Sequence, residues 1–133
     1  MIRQHIYLPA YRWDILVFYW AEKDDAGEIV DAMRRLGAAD GILDSAEENI
    51  LDSAQNAGLT YTNESERGTV MVIGKASSPE EFWNTLDHEK GHAVQHIGSA
   101  LGMDHMGEPL QYLAGMLAME IYPVARRFIC DKC

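Results

Sequence analysis

Cysteine is scarce in this chain, and the two present, Cys130 and Cys133, lie at its very end, so no disulfide framework holds the fold together. Long apolar runs are missing as well. The longest, Ile15-Leu16-Val17-Phe18-Tyr19-Trp20-Ala21, falls far below the ~18 residues of a membrane span and reads as a buried strand. Met1 is followed by Ile2, Arg3, Gln4 and His5, without an apolar h-region or a small-residue cleavage site. No secretory signal is therefore expected, and the cytoplasm is the default compartment. Basic residues are also few, 11 against 21 acidic ones, giving a formal charge of -10. Such a surface repels phosphate backbones and anionic lipid heads, so neither nucleic acid nor a membrane is an expected partner. Internal repeats and low-complexity segments are lacking too.

What is there suffices for one compact domain over residues 1–133, with residues 129–133 as a flexible tail, since 133 residues at 47% hydrophobic content can bury a real core. Residues 11–20 are β-branched or aromatic with little polar interruption and read as a central strand covered on both faces. Asp24 or Asp25 can cap a helix carrying Ile29, Val30, Met33 and Leu36, with Gly37 where a left-handed stop is wanted. Ser45-Ala46-Glu47-Glu48 has the form of a capping box ahead of Ile50, Leu51 and Ala54, and predicts a second, shorter helix ending near Asn56-Ala57-Gly58. The acidic residues 40–52 lack the order of a calcium loop. Residues 59–62 and 69–73 are strand-like around a polar segment, which predicts a hairpin.

Ser78-Pro79-Glu80-Glu81 opens a long helix through Phe82, Trp83, Leu86, Val94, Ile97 and Leu101, which Gly102 ends. Pro109 starts a last helix through Leu113, Met116, Leu117 and Ile121, and Pro123 is expected to bend or terminate it. Arg126 and Arg127 suit the negative end of that helix. The sum is an α+β domain, a small mixed or antiparallel sheet packed with about four helices.

Chemistry concentrates in His88-Glu89-Lys90-Gly91-His92, an H-E-x-x-H string in the long helix. Two histidines four apart lie about 6 Å from each other along the axis, so both imidazoles can converge on one Zn2+ with Glu89 beside it as base. A third ligand is needed. His96 lies about 12 Å along the axis from His88, too far to share the same ion, and is read as a supporting, exposed or packed residue. The longer H-E-x-x-H-x-x-G-x-x-H pattern is absent, since Gln95 and Gly98 hold its glycine and histidine places. Glu108, opening the returning helix, is favoured, with Asp104 or His105 as alternatives. Asp87 can serve as an acceptor beside the first ligand.

The H-E-x-x-H string together with Gly107-Glu108-Pro109-Leu110-Gln111-Tyr112-Leu113 resembles the very small gluzincin-like metallopeptidases of phages and prophages, whose second motif looks like N-E-P-x-x-Y-L. Gly107 stands where that pattern often has Asn. The resemblance implies a minimal zincin-like domain with H-E-x-x-H on a central helix, zinc held by His88, His92 and Glu108, and Glu89 as acid/base. It also implies a hydrolase acting on peptide or protein substrates through metal-activated water. Tyr112, one turn after Glu108, can face the site and donate to an oxyanion, or sit at the rim as an aromatic. In zincins an edge strand near the metal binds extended peptide, a role expected here of residues 69–73.

Two features have simpler readings. Cys130 and Cys133 form C-x-x-C without a second ligand pair, which suits a frayed tail better than a metal or redox site. The methionines around residues 103–119 are explained by core filling. The alternative to a peptidase is a non-catalytic, zinc-stabilised protein-interaction module of a phage or mobile element. The oligomeric state is not readable from the sequence.

Overall fold

A computed structural model describes residues 1–52 and 55–130. Four strands, β1 (Ile2–Leu8), β2 (Trp13–Ala21), β3 (Gly58–Asn63) and β4 (Gly68–Gly74), form one mixed sheet in the order β1-β2-β4-β3. β1 pairs antiparallel with β2, β2 parallel with β4, and β4 antiparallel with β3. The helices are α1 (Ala26–Arg35), α2 (Asp40–Asp52), α3 (Pro79–Ala100) and α4 (Glu108–Ile129). The protein is thus α+β, with four helices and a four-stranded mixed sheet, and no helix among the described residues is long and apolar enough to cross a membrane.

The period of two along β2 divides the core. Trp13, Ile15, Val17 and Tyr19 join Phe82, Leu86, Ile97, Leu113 and Leu117 of α3 and α4, whereas Phe18 joins Ile29, Val30, Met33, Leu43 and Ile50 of α1 and α2. Helices therefore cover both faces of the central strand, which is why its sequence is almost continuously apolar. The alternation breaks at Trp20. Its φ is +65° and the register with β4 shifts between Tyr19 and Ala21, so a bulge turns the Trp20 ring to the same side as Tyr19. There it stacks with Phe128 at 5.5 Å and meets Phe82 at 6.0 Å.

Several expectations are corrected, among them core filling by Met106 and Met119, which are 93% and 78% exposed. β1 was not foreseen, because its alternating polar residues Arg3, His5 and Tyr7 are exposed on an edge strand. α2 begins at Asp40, so the Ser45 box lies inside a helix, while the expected helical Ala54 lies outside the described residues. Asp25 does stand before α1, but its carboxylate reaches back to accept from the Glu22 N–H at 2.8 Å. Pro123 does not end α4. It is exposed, and the carbonyl it leaves unbonded belongs to Met119, 78% exposed, so water can satisfy that group. α4 accordingly reaches Ile129, the first residue of the expected tail, and residues 131–133 lie outside the described residues. Residues 69–73 are not an edge, because β4 pairs on both sides; the edges are β1 and β3.

Candidate metal centre

α3 starts as its sequence dictates, with the Ser78 hydroxyl accepting from the Glu81 N–H at 3.1 Å and Pro79 at the first helical position. It ends at Gly102, whose φ of +68° few other residues tolerate, with the Met103 N–H bonded to the Gly98 carbonyl at 2.8 Å. Between these ends Phe82, Leu86, Ala93 and Ile97 are buried in the core. His88, His92 and His96 follow one another at four-residue spacing on a different flank, the first two exposed and the third half-buried.

The His88 and His92 Nε2 atoms approach to 3.1 Å, with the rings edge to face. Two donors about 2.0–2.1 Å from a tetrahedral zinc lie about 3.3 Å from each other, so this pair is spaced as two corners of such a shell. Without an ion the same spacing serves a hydrogen bond between the rings.

Glu89, the residue between them on the helical path, is 5% exposed and points at the sheet. Its Oε1 accepts from the Thr60 hydroxyl of β3 at 2.8 Å, and that hydroxyl also lies 3.2 Å from the Glu89 carbonyl oxygen. Such contact requires a strand lying close to the helix. Gly58 supplies the room, since a Cβ there would come within 2.9 Å of both Glu89 Cγ and Thr85 Cγ2. One turn beyond His92, the His96 Nδ1 meets the Thr62 hydroxyl at 2.9 Å; Thr62 in turn meets Thr69 at 2.9 Å, to which the Trp13 indole N–H donates at 3.0 Å. Partial burial lowers the His96 pKa, the neighbouring His92 lowers it further, and Glu64 and Glu89 oppose the shift.

The structure brings the His88 and His92 rings together, turns the neighbouring Glu89 towards Thr60 of the sheet, and leaves the remaining predicted site residues elsewhere. Glu108 opens α4 two residues before Leu110, which packs on Gly98 of α3. Gly98 is about 9 Å along α3 from His92 and about a third of a turn round it, and about 15 Å along from His88. Glu108 is exposed there, and among the described residues no three His, Cys, Asp or Glu side chains gather as a metal-holding group.

The alternatives fare no better. Asp104 is engaged in its own turn, with Oδ1 accepting from the Met106 N–H at 3.0 Å, and His105 and Asp87 are exposed. Tyr112 is 68% exposed, on the side of α4 away from the buried Leu110, Leu113 and Leu117. Thr60 and Thr62 are the neighbours that sequence reasoning missed. Their signal was present, because two threonines two apart, alternating with Leu59 and Tyr61, share one face of a strand. What the sequence did not give was the helix that face would meet. Compared with family models, curated proteins and solved structures, the chain finds no match.

Proposed function

We propose that this chain is a zinc-dependent, peptidase-like hydrolase in which His88 and His92 hold the ion and Glu89 is the acid/base. The observation that carries the reading is the 3.1 Å approach of two Nε2 atoms from one exposed helical flank, with a carboxylate on the adjoining residue. Two imidazoles suit zinc better than magnesium or calcium, which prefer oxygen ligands. His88 and His92 would hold the ion, and the chemistry it would supply there is Lewis acidity towards a scissile carbonyl and a bound water of lowered pKa. Glu89 is positioned by Thr60 through Oε1, which leaves Oε2 to take a proton and deliver it to a leaving amine. The edge strand β3, rather than β4, is the place for an extended peptide to add beside α3.

Glu108 is distant from the pair in this arrangement, so the two histidines are the part of the expected donor set that fits zinc. That same distance favours a second reading, a zinc-binding interaction module without turnover. Metal analysis of protein purified without added zinc is the test. Wild type is expected to carry about one zinc per chain and His88→Ala or His92→Ala to lose it. Metal-free wild type that also fails to take up zinc on reconstitution would sink both zinc readings. Peptide-library cleavage read by mass spectrometry separates the two, because Glu89→Gln must abolish any hydrolysis while keeping the metal.

A further inference from the structure

α4 has a second face with no use in its own fold. Counting in steps of four and three, Glu108, Tyr112, Gly115, Met119, Tyr122 and Arg126 fall in one line, the 3.5-residue repeat of a coiled-coil seam. Every one of the six is exposed, Tyr112 at 68%, Met119 at 78% and Tyr122 at 56%. The line lies opposite the buried stripe of Leu110, Leu113, Leu117 and Ile121. Large apolar side chains this exposed and aligned mark an association surface.

The order of residues within the line identifies the occupant. Turned end for end about Leu117, the seam matches itself: Tyr112 falls against Tyr122, Gly115 against Met119, and Glu108 against Arg126. Each match joins an a-type to a d-type position, as the layers of an antiparallel helix pair require. Each is also complementary, two flat amphipathic rings, a long thioether over a gap, and opposite charges. Nothing lies within 4 Å of where a Gly115 side chain would begin, so that gap is open. Neither Glu108 nor Arg126 has an ion-pair partner in its own chain among the described residues. The chain as a whole carries -10, but α4 has two acidic and two basic residues, so this face can meet its copy without the general repulsion.

We infer that two copies of this protein associate through α4 as a two-fold symmetric, antiparallel helix pair. A contact of one helix from each copy is small for a specific interface, so the dimer forms in a concentration-dependent equilibrium. Sedimentation equilibrium from low micromolar to sub-millimolar concentration tests this. Wild type is expected to pass from monomer to dimer. Met119→Glu sets a charge against the Gly115 gap of each copy and weakens the dimer by about tenfold or more, while far-UV circular dichroism and the melting temperature stay those of wild type. Glu108→Arg and Arg126→Glu each weaken association, and the double exchange restores it. A monomer at every concentration overturns self-association and leaves the face to another partner. A dimer indifferent to Met119→Glu overturns the surface, and failure of the double exchange to rescue overturns the antiparallel register.

Discussion

Glu89 shows how one side chain can be tied at once to the fold and to the proposed chemistry. A carboxylate 5% exposed must be hydrogen-bonded, and the Thr60 hydroxyl does this at 2.8 Å. Thr60→Val keeps the shape of the side chain and removes the donor, leaving a buried acceptor unmatched. The expected loss is about 1–3 kcal/mol in urea unfolding, and Thr62→Val, which leaves Glu89 bonded, must not reproduce any accompanying loss of activity.

His96 offers a pH test at the same scale. Its pKa is lowered in the folded chain, chiefly by burial, so the unfolded chain binds the proton more readily. Stability from this group is complete above its unfolded value near 6.5 and is lost as pH falls through the lower folded value. His96→Gln is expected to flatten that acid limb of a melting-temperature profile, and an unchanged limb would remove His96 as its source.

At the scale of elements, β3 and α3 depend on one another through Gly58. Gly58→Ala would bring a methyl within 2.7 Å of the Val72 carbonyl and 2.9 Å of Glu89 Cγ, and the backbone oxygen has little freedom to retreat. The expected cost is about 1–3 kcal/mol, read as a lower melting temperature, with β3 displaced from Glu89. The same packing explains what was legible. Local signals gave the central strand, the hairpin and the long helices, because Ser78, Pro79 and Gly102 act on their immediate neighbours. They failed where the deciding interaction was distant. Ser45 offers a start signal, yet α2 reaches back to Asp40 and buries Leu43 in the cluster that holds Phe18, Ile29 and Met33. Arg3, His5 and Tyr7 hide a strand that needs only one apolar face.

The site was legible to the same degree. Spacing alone foretold the approach of His88 and His92, whereas the turn of Glu89 towards Thr60 depends on the sheet, and the position of Glu108 depends on how far α4 slides along α3, where Leu110 packs on Gly98. Glu108→Gln is therefore expected to leave zinc content unchanged. A loss of metal in that variant would show that the start of α4 moves to meet the histidines.

For the whole molecule, the question is whether zinc would hold the fold or merely occupy it. Small zinc domains unfold without metal because they lack a core. Here both faces of the sheet are packed, with Trp13, Tyr19, Phe82 and Leu117 on one side and Phe18, Ile29 and Met33 on the other, all at most 1% exposed. His88 and His92 sit outside both clusters on an exposed flank. A bound ion would then stabilise only by mass action, about 2.7 kcal/mol at a free concentration a hundredfold above its dissociation constant. Treatment with a chelator is expected to lower the melting temperature by several degrees and to preserve a single cooperative transition with an unchanged far-UV spectrum. His88→Ala should melt at the chelated value, with or without added zinc. If chelation instead unfolds the chain outright, the metal is part of the core, and the two packed faces are not enough to hold this fold.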